Sequence, residues 1–186
     1  MNVDELVDRA EIHDVLVRYS RGLDRVDMAL VRDAFHDDAW IDFPDEVYVG
    51  PVKGFCEFLS KEMPSFVRTR HNLGNSLVEL DGDVALVETY LTADHEATSY
   101  HKWDCAFVTL WARYLDRFEK RAGVWKIARR QLLIDWMRRD DSQTGWFKLP
   151  QAQLGKRDGS DPVLQQHIQH GSSSPTALHD NGLKGN

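Results

Sequence analysis

The chain has 186 residues, with 23 Lys and Arg against 30 Asp and Glu, a formal net charge of −7 and 42% apolar residues. One domain with a full core is the natural expectation at this length, and the negative balance argues against nucleic acid or an anionic membrane as partner. No apolar run approaches membrane-spanning length, the acidic start Met-Asn-Val-Asp-Glu-Leu carries no signal-peptide pattern, and Cys56 and Cys105 stand in no metal or redox spacing, which together point to a cytoplasmic protein.

Asn2 with Glu5 three residues on resembles a capping box, so a first helix should begin near Val3. Leu6, Ala10, His13, Leu16, Tyr19 and Leu23 recur at helical spacing and mark one buried face. The stretch Tyr19 to Asp24 reads as the end of that helix; fraying at Gly22 would bring the phenol and the carboxylate closer together. Asp27 can cap a second helix carrying Leu30, Val31, Ala34 and Phe35, with His36-Asp37-Asp38 as a solvated turn and a short strand from Ala39 to Phe43. Gly50-Pro51 starts a third helix with Phe55, Phe58, Leu59 and Met63 on its apolar stripe, closed by Pro64.

After residue 67 the period changes to two. Arg68 to Leu80 and Val84 to Glu96 flank the turn Asp81-Gly82-Asp83, and Trp103 to Arg121 and Val124 to Arg138 flank Ala122-Gly123. The expected architecture is an α+β domain over residues 1–140, with three helices on one face of an antiparallel sheet. Residues 141–186 read as a tail, in part docked through Trp146 to Leu149 and then mobile around Ser172-Ser173-Ser174-Pro175.

Alternation puts Arg130, Leu132, Ile134 and Trp136 on one face of the last strand, and His71, Leu73, Asn75 and Leu77 on one face of the first long strand. Roofed by the Tyr19 face of the first helix, such a sheet would enclose an apolar pocket for a small molecule. Tyr48, Leu73, Asn75, Trp103, Leu132 and Trp136 are its candidate lining residues, and Trp40, Trp111 and Trp125 read with them as core or pocket wall. A carboxylate that orients an imidazole, with a phenol nearby, is the material of proton-transfer catalysis, which singles out Asp24, His71 and Tyr19. Each has a plainer reading: His71 and Tyr19 as core residues, Asp24 as a helix cap or a partner of Arg21 or Arg25, Arg130 as a bridge to surface acids. His95 and His101 lack further ligands at a matching spacing, so no metal is expected, and no phosphate loop, GxSxG or nucleotide motif occurs.

The order of helices and strands resembles the cone-shaped nuclear transport factor 2 fold in its SnoaL-like branch. Three pieces are similar to a narrower group that includes scytalone dehydratase, bile acid 7α-dehydratase and hexachlorocyclohexane dehydrochlorinase. They are Arg18-Tyr19 through Asp24, Arg70-His71-Asn72-Leu73-Gly74-Asn75, and Gly123-Val124-Trp125-Lys126 through Arg130, and the resemblance spans residues 3 to 138. It implies an Asp24–His71 dyad working as base. The dehydrochlorinase has a lysine where this chain has Tyr19, and the bile acid enzyme a tyrosine, which favours loss of water over loss of halide. Arg130 matches an arginine lining the dehydrochlorinase pocket and would stabilise developing negative charge. The implied function is a cofactor-independent dehydratase acting on a hydrophobic hydroxylated steroid, polyketide or aromatic compound, in a homo-dimer or homo-trimer paired through the outer sheet face. An isomerase or cyclase in the same pocket, or a non-catalytic ligand-binding or dioxygenase small-subunit-like protein, stays open.

Overall fold

The computed structural model describes residues 1–44, 47–97, 106–140, 155–158 and 160–161. The first helix, α1, runs from Val3 to Arg25 behind the expected capping box, in which the Asn2 side chain accepts from the Glu5 N–H at 2.9 Å and Glu5 accepts from the Asn2 N–H. Its buried stripe is Ile12, Val15, Leu16, Tyr19 and Leu23, whereas Leu6, Ala10 and His13 are exposed. The first turns dock through charge instead of apolar area: Arg9 donates to the Val78 carbonyl at 2.7 Å, and the Asp8 carboxylate accepts from Lys120 and from the Trp125 indole, both at 2.8 Å.

The helix does not fray at Gly22. A glycine stands there because the second helix, α2 (Met28–Asp33), crosses too close for a side chain: a Cβ would lie 2.7 Å from Val31 Cγ2. Asp27 caps α2 as expected, accepting from the Leu30 N–H at 3.0 Å. The strand β1 then begins at Phe35 and ends at Asp42, so His36-Asp37-Asp38 is strand and not a turn; His36 Nε2 is tied to the Glu119 carbonyl at 2.8 Å. A short strand β2 (Val49–Pro51), too brief to stand out in the sequence, pairs with β1 before α3 (Val52–Glu62). Pro64 lies in a 3-10 turn, Met63–Ser65, that closes α3.

Four long strands follow: β3 (Phe66–Asp81), β4 (Val84–Ala97), β5 (Phe107–Arg121) and β6 (Val124–Asp140). The sheet is curved and not closed, in the order β2-β1-β6-β5-β4-β3, antiparallel except where β1 runs beside β6. Both hairpins form where expected, with Ala122 and Gly123 at φ 51 and 81, the positive pair that a two-residue primed turn requires. α1 packs against β3 and β6, and α3 against β1, so the helices share one face of the sheet.

Two bulges shift the expected alternation. In β3, Leu73 faces Leu91 but Ser76 faces Thr89, so Gly74 and Asn75 together oppose Tyr90. Beyond that point Leu77 turns to the outer face, 60% exposed, and Asn75 is exposed in the bulge itself. In β6, Asp135 is the extra residue; its carboxylate holds Arg113 on the outer face at 2.8 Å. Trp136 therefore pairs with Trp111 on the outer face, 70% exposed, and does not share the face of Arg130. Residues 155–161, as far as described, lie against the body. Trp103, His101, Cys105, the patch Trp146 to Leu149 and the serine-rich stretch at 172–175 lie outside the described residues.

Candidate active site

Asp24 occupies the last turn of α1, one residue beyond the buried Leu23, and meets the beginning of β3. There, alternation turns Thr69 and His71 inward, opposite His95 and Ala93 of β4. His71 Nδ1 lies 2.8 Å from Asp24 Oδ1, the His71 backbone N–H donates to Oδ2 at 3.0 Å, and the Thr69 hydroxyl donates to Oδ1 at 3.0 Å. The pair is sheltered, its side chains 6% and 15% exposed for His71 and Asp24. Burial pushes the Asp24 carboxyl up, but the His71 ring and backbone and the Thr69 hydroxyl together outweigh it, and its pKa is held below the usual 3.8. An ionised carboxylate only accepts, so Nδ1 carries the proton in this pair and Nε2 presents its lone pair. Among the described residues Nε2 has no hydrogen-bond partner.

His95 stands beside this pair, its ring edge-on to that of His71 with centroids 5.5 Å apart and 5.0 Å from that of Phe66. Burial lowers its pKa to about 3, with His71 pushing the same way, so it is a neutral imidazole at physiological pH. His95 had a place in the sequence only as a weak metal-ligand candidate. Among the described residues, no group of three His, Cys, Asp or Glu is placed to hold a metal ion.

Tyr19, five residues or about 7.5 Å back along the helix axis, points into the interior at 1% exposure. Its ring meets Phe35 and Tyr114 edge-on at 5.5 and 5.9 Å. Burial raises its pKa while the neighbouring Arg130 works against that rise, so the phenol keeps its proton. Arg130 is wholly buried and paired with Asp116, Nε to Oδ1 and Nη2 to Oδ2 both at 2.7 Å. Its guanidinium carbon lies 4.2 Å from the Tyr19 ring centroid and 3.9 Å from that of Tyr114. The expected guanidinium among apolar residues is there, but it sits inside the core with its charge neutralised, not on a pocket wall.

Of the expected lining residues, Leu73 and Leu132 are half-buried on the inner face, opposite Leu91 and Tyr114. Tyr48 packs against Phe55 and Phe58 and donates to the Pro51 carbonyl at 2.8 Å, so its ring and hydroxyl serve the start of α3. Two hollows lie away from the dyad. One, about 460 Å³, is on the outer sheet face among Leu77, Leu86, Arg113 and Leu115; the other, about 790 Å³, lies at the end of α1 among Arg18, Arg21, Arg25, Met28 and Arg157. Neither has Asp24 or His71 in its wall. Asp116, Thr69 and Arg157 were missed by sequence reasoning, and the place of His95 beside the pair was missed with them. Asp116 alone left a signal, an acid in the inward phase of Ala112, Tyr114 and Phe118.

Comparison with known proteins follows the same outline. Residues 4–131 match the SnoaL-like domain family. An uncharacterized protein of Mycobacterium tuberculosis H37Rv is 30% identical over 134 residues, which cover 70% of this chain and 87% of that protein. Among solved structures, the hexachlorocyclohexane dehydrochlorinase LinA-type3 of Novosphingobium barchaimii superposes with a TM-score of 0.67 at 18% identity, covering 81% of this chain and all of that one. A protein of Novosphingobium aromaticivorans provisionally described as scytalone dehydratase gives 0.66 at 20% identity, covering 79% of this chain and 100% of its own. These structures establish the fold.

Proposed function

The chain belongs to the SnoaL-like domain family, and on that premise we propose that it is a cofactor-independent lyase that removes water from a hydrophobic hydroxylated compound. The observation that carries this reading is the 2.8 Å contact between His71 Nδ1 and Asp24, which leaves Nε2 as a base. His71 Nε2 takes a proton from carbon, the C–H electron pair becomes the new C=C bond, and the C–O bond breaks with its electrons on oxygen. The imidazolium then returns that proton to the departing hydroxide, so water leaves and His71 ends as it began. Asp24 holds the imidazole in one tautomer and stabilises the imidazolium between the two steps.

Tyr19, protonated because it is buried, supplies a hydrogen bond to the leaving oxygen or to an activating carbonyl. Arg130 acts through Tyr19 in this scheme: with Asp116 already on its fork, it fixes the phenol ring and does not meet the developing charge. Leu73 and Leu132 suit an apolar substrate of the steroid, polyketide or aromatic type, in a cytoplasmic homo-dimer or homo-trimer. The test is a screen of hydroxylated steroids, polyketides and aromatic compounds for loss of 18 mass units, about the mass of water, using wild type and His71→Gln. Turnover by the wild type, reduced about 10²–10⁴-fold in His71→Gln, supports the reading. A product of unchanged mass would make the protein an isomerase or cyclase, and tight binding without turnover would end the catalytic reading.

A further inference from the structure

Arg157 lies beyond the span that matches the family and reaches back from the C-terminal segment to the end of α1. Its Nε donates to the Asp24 carbonyl at 3.1 Å and its Nη2 to the Leu23 carbonyl at 3.2 Å. Its Nη1 donates to the carbonyls of Met63 and Phe66, at 2.9 and 2.8 Å. The first two acceptors belong to the last turn of a helix, where carbonyls run out of intrahelical donors. The other two belong to the 3-10 turn and the first residue of β3. One planar group therefore joins the turn that carries Asp24 to the strand that carries Thr69 and His71.

The segment that delivers this guanidinium is itself anchored. Asp161, 3% exposed, accepts from the Lys156 N–H at 2.8 Å and lies 3.5 Å from Arg25 Nε. Only a guanidinium presents donors in a fixed fork wide enough for acceptors on two elements; a lysine ammonium offers three donors from one point. The hydrogen bonds from Thr69 and His71 to Asp24 span the same junction, so their lengths depend on how α1 and β3 sit relative to each other.

We propose that Arg157 is a positioning residue for the Asp24–His71 pair, joining the end of α1 to the start of β3 so that His71 keeps its proton on Nδ1. The proposal rests on the reading of His71 and Asp24 as the base, and the test separates the two. Imidazole ¹⁵N spectra and hydrogen exchange of the His71 amide are recorded for wild type, Arg157→Ala and Arg157→Lys. The expected result is a single Nδ1–H tautomer in wild type. In both variants mixed tautomers appear and the His71 amide exchanges about tenfold faster or more. Millimolar methylguanidinium restores the wild-type tautomer in Arg157→Ala but not in Arg157→Lys, whose side chain fills the site. A segment that is only a structural strap would lower the melting temperature of Arg157→Ala and leave the tautomer and amide protection unchanged, which overturns the proposal while the dyad stands. Should Arg157→Ala not fold, an unchanged tautomer in Arg157→Lys overturns it equally. A wild type without the Nδ1–H tautomer removes the base itself and the proposal with it.

Discussion

Arg130 and Asp116 face each other across β6 and β5 through two parallel 2.7 Å bonds, with neither side chain exposed to solvent. Breaking one half of such a pair strands the other charge in the core, at a cost of about 3–5 kcal/mol. Asp116→Asn and Arg130→Met are each expected to show this loss in urea unfolding. The double variant Arg130→Met with Asp116→Leu should recover most of it, because both charges leave together. A double variant as unstable as the singles would show that the cation between Tyr19 and Tyr114 matters more than its pairing.

His95 gives the protein a pH dependence with a definite sign. Its pKa in the folded chain is about 3, against 6.5 for the ordinary group, so the unfolded chain takes up the proton first as pH falls. Stability is complete above pH 6.5 and declines from there towards 3, by about 1.4 kcal/mol per pH unit at most. Asp24, whose pKa is lowered, contributes stability that is lost only as pH falls below 3.8. Glu119 and Asp8, whose pKa values are lowered from 4.5 and 3.8, begin to contribute in the same sense towards about pH 4. Urea midpoints between about pH 5.5 and 6.5 therefore report His95, and His95→Gln is expected to flatten the slope there. An unchanged slope would assign it to another group.

Gly22→Ala should destabilise, against the usual gain of about 0.5–1 kcal/mol from replacing a helical glycine. The added Cβ would meet Val31 Cγ2 at 2.7 Å, the Val31 nitrogen at 3.0 Å and the Asp27 carbonyl at 3.1 Å. Overpacking of this kind costs about 1–3 kcal/mol and should appear as a lower melting temperature. A higher melting temperature would mean that α2 swings aside freely.

The outer sheet face carries Leu77, Leu86 and Trp136 at 60%, 54% and 70% exposure. If copies of the chain pair through this face, Leu77→Glu with Leu86→Glu should give a monomer in sedimentation, with an unchanged circular dichroism spectrum. An oligomer that persists in that variant places the interface elsewhere.

The sequence led to the Asp24–His71 pair through two short resemblances at the end of α1 and the start of β3, and the contact between them follows from the fold. Leu73 and Leu132 could be assigned to the inner face because each lies on the near side of a bulge, where counting by two still holds. Asn75, Leu77 and Trp136 could not, since one extra residue reverses every later side chain. Gly74 is a weak marker of the first bulge, and Asp135, an ordinary strand acid in the sequence, marks the second only by its bond to Arg113. The fate of Arg130 turned on a partner fourteen residues earlier, legible only as a misplaced acid among inward apolar side chains. Arg157 acts on acceptors more than ninety residues away and gave no local signal.

The pairing of β1 with β6 orders events as the chain is made. Phe35 finds its neighbour Ile127 only after roughly ninety further residues, which takes on the order of 5–20 s at ordinary rates of synthesis. The three antiparallel long strands β3, β4 and β5 can zip locally as they emerge, but β1 and β2 have no sheet to join until β6 is out. Once β5 is made and until β6 follows, β5 presents an unpaired edge, and the charged residues along it, Asp116, Arg117, Glu119 and Lys120, make it a poor template for a neighbouring chain.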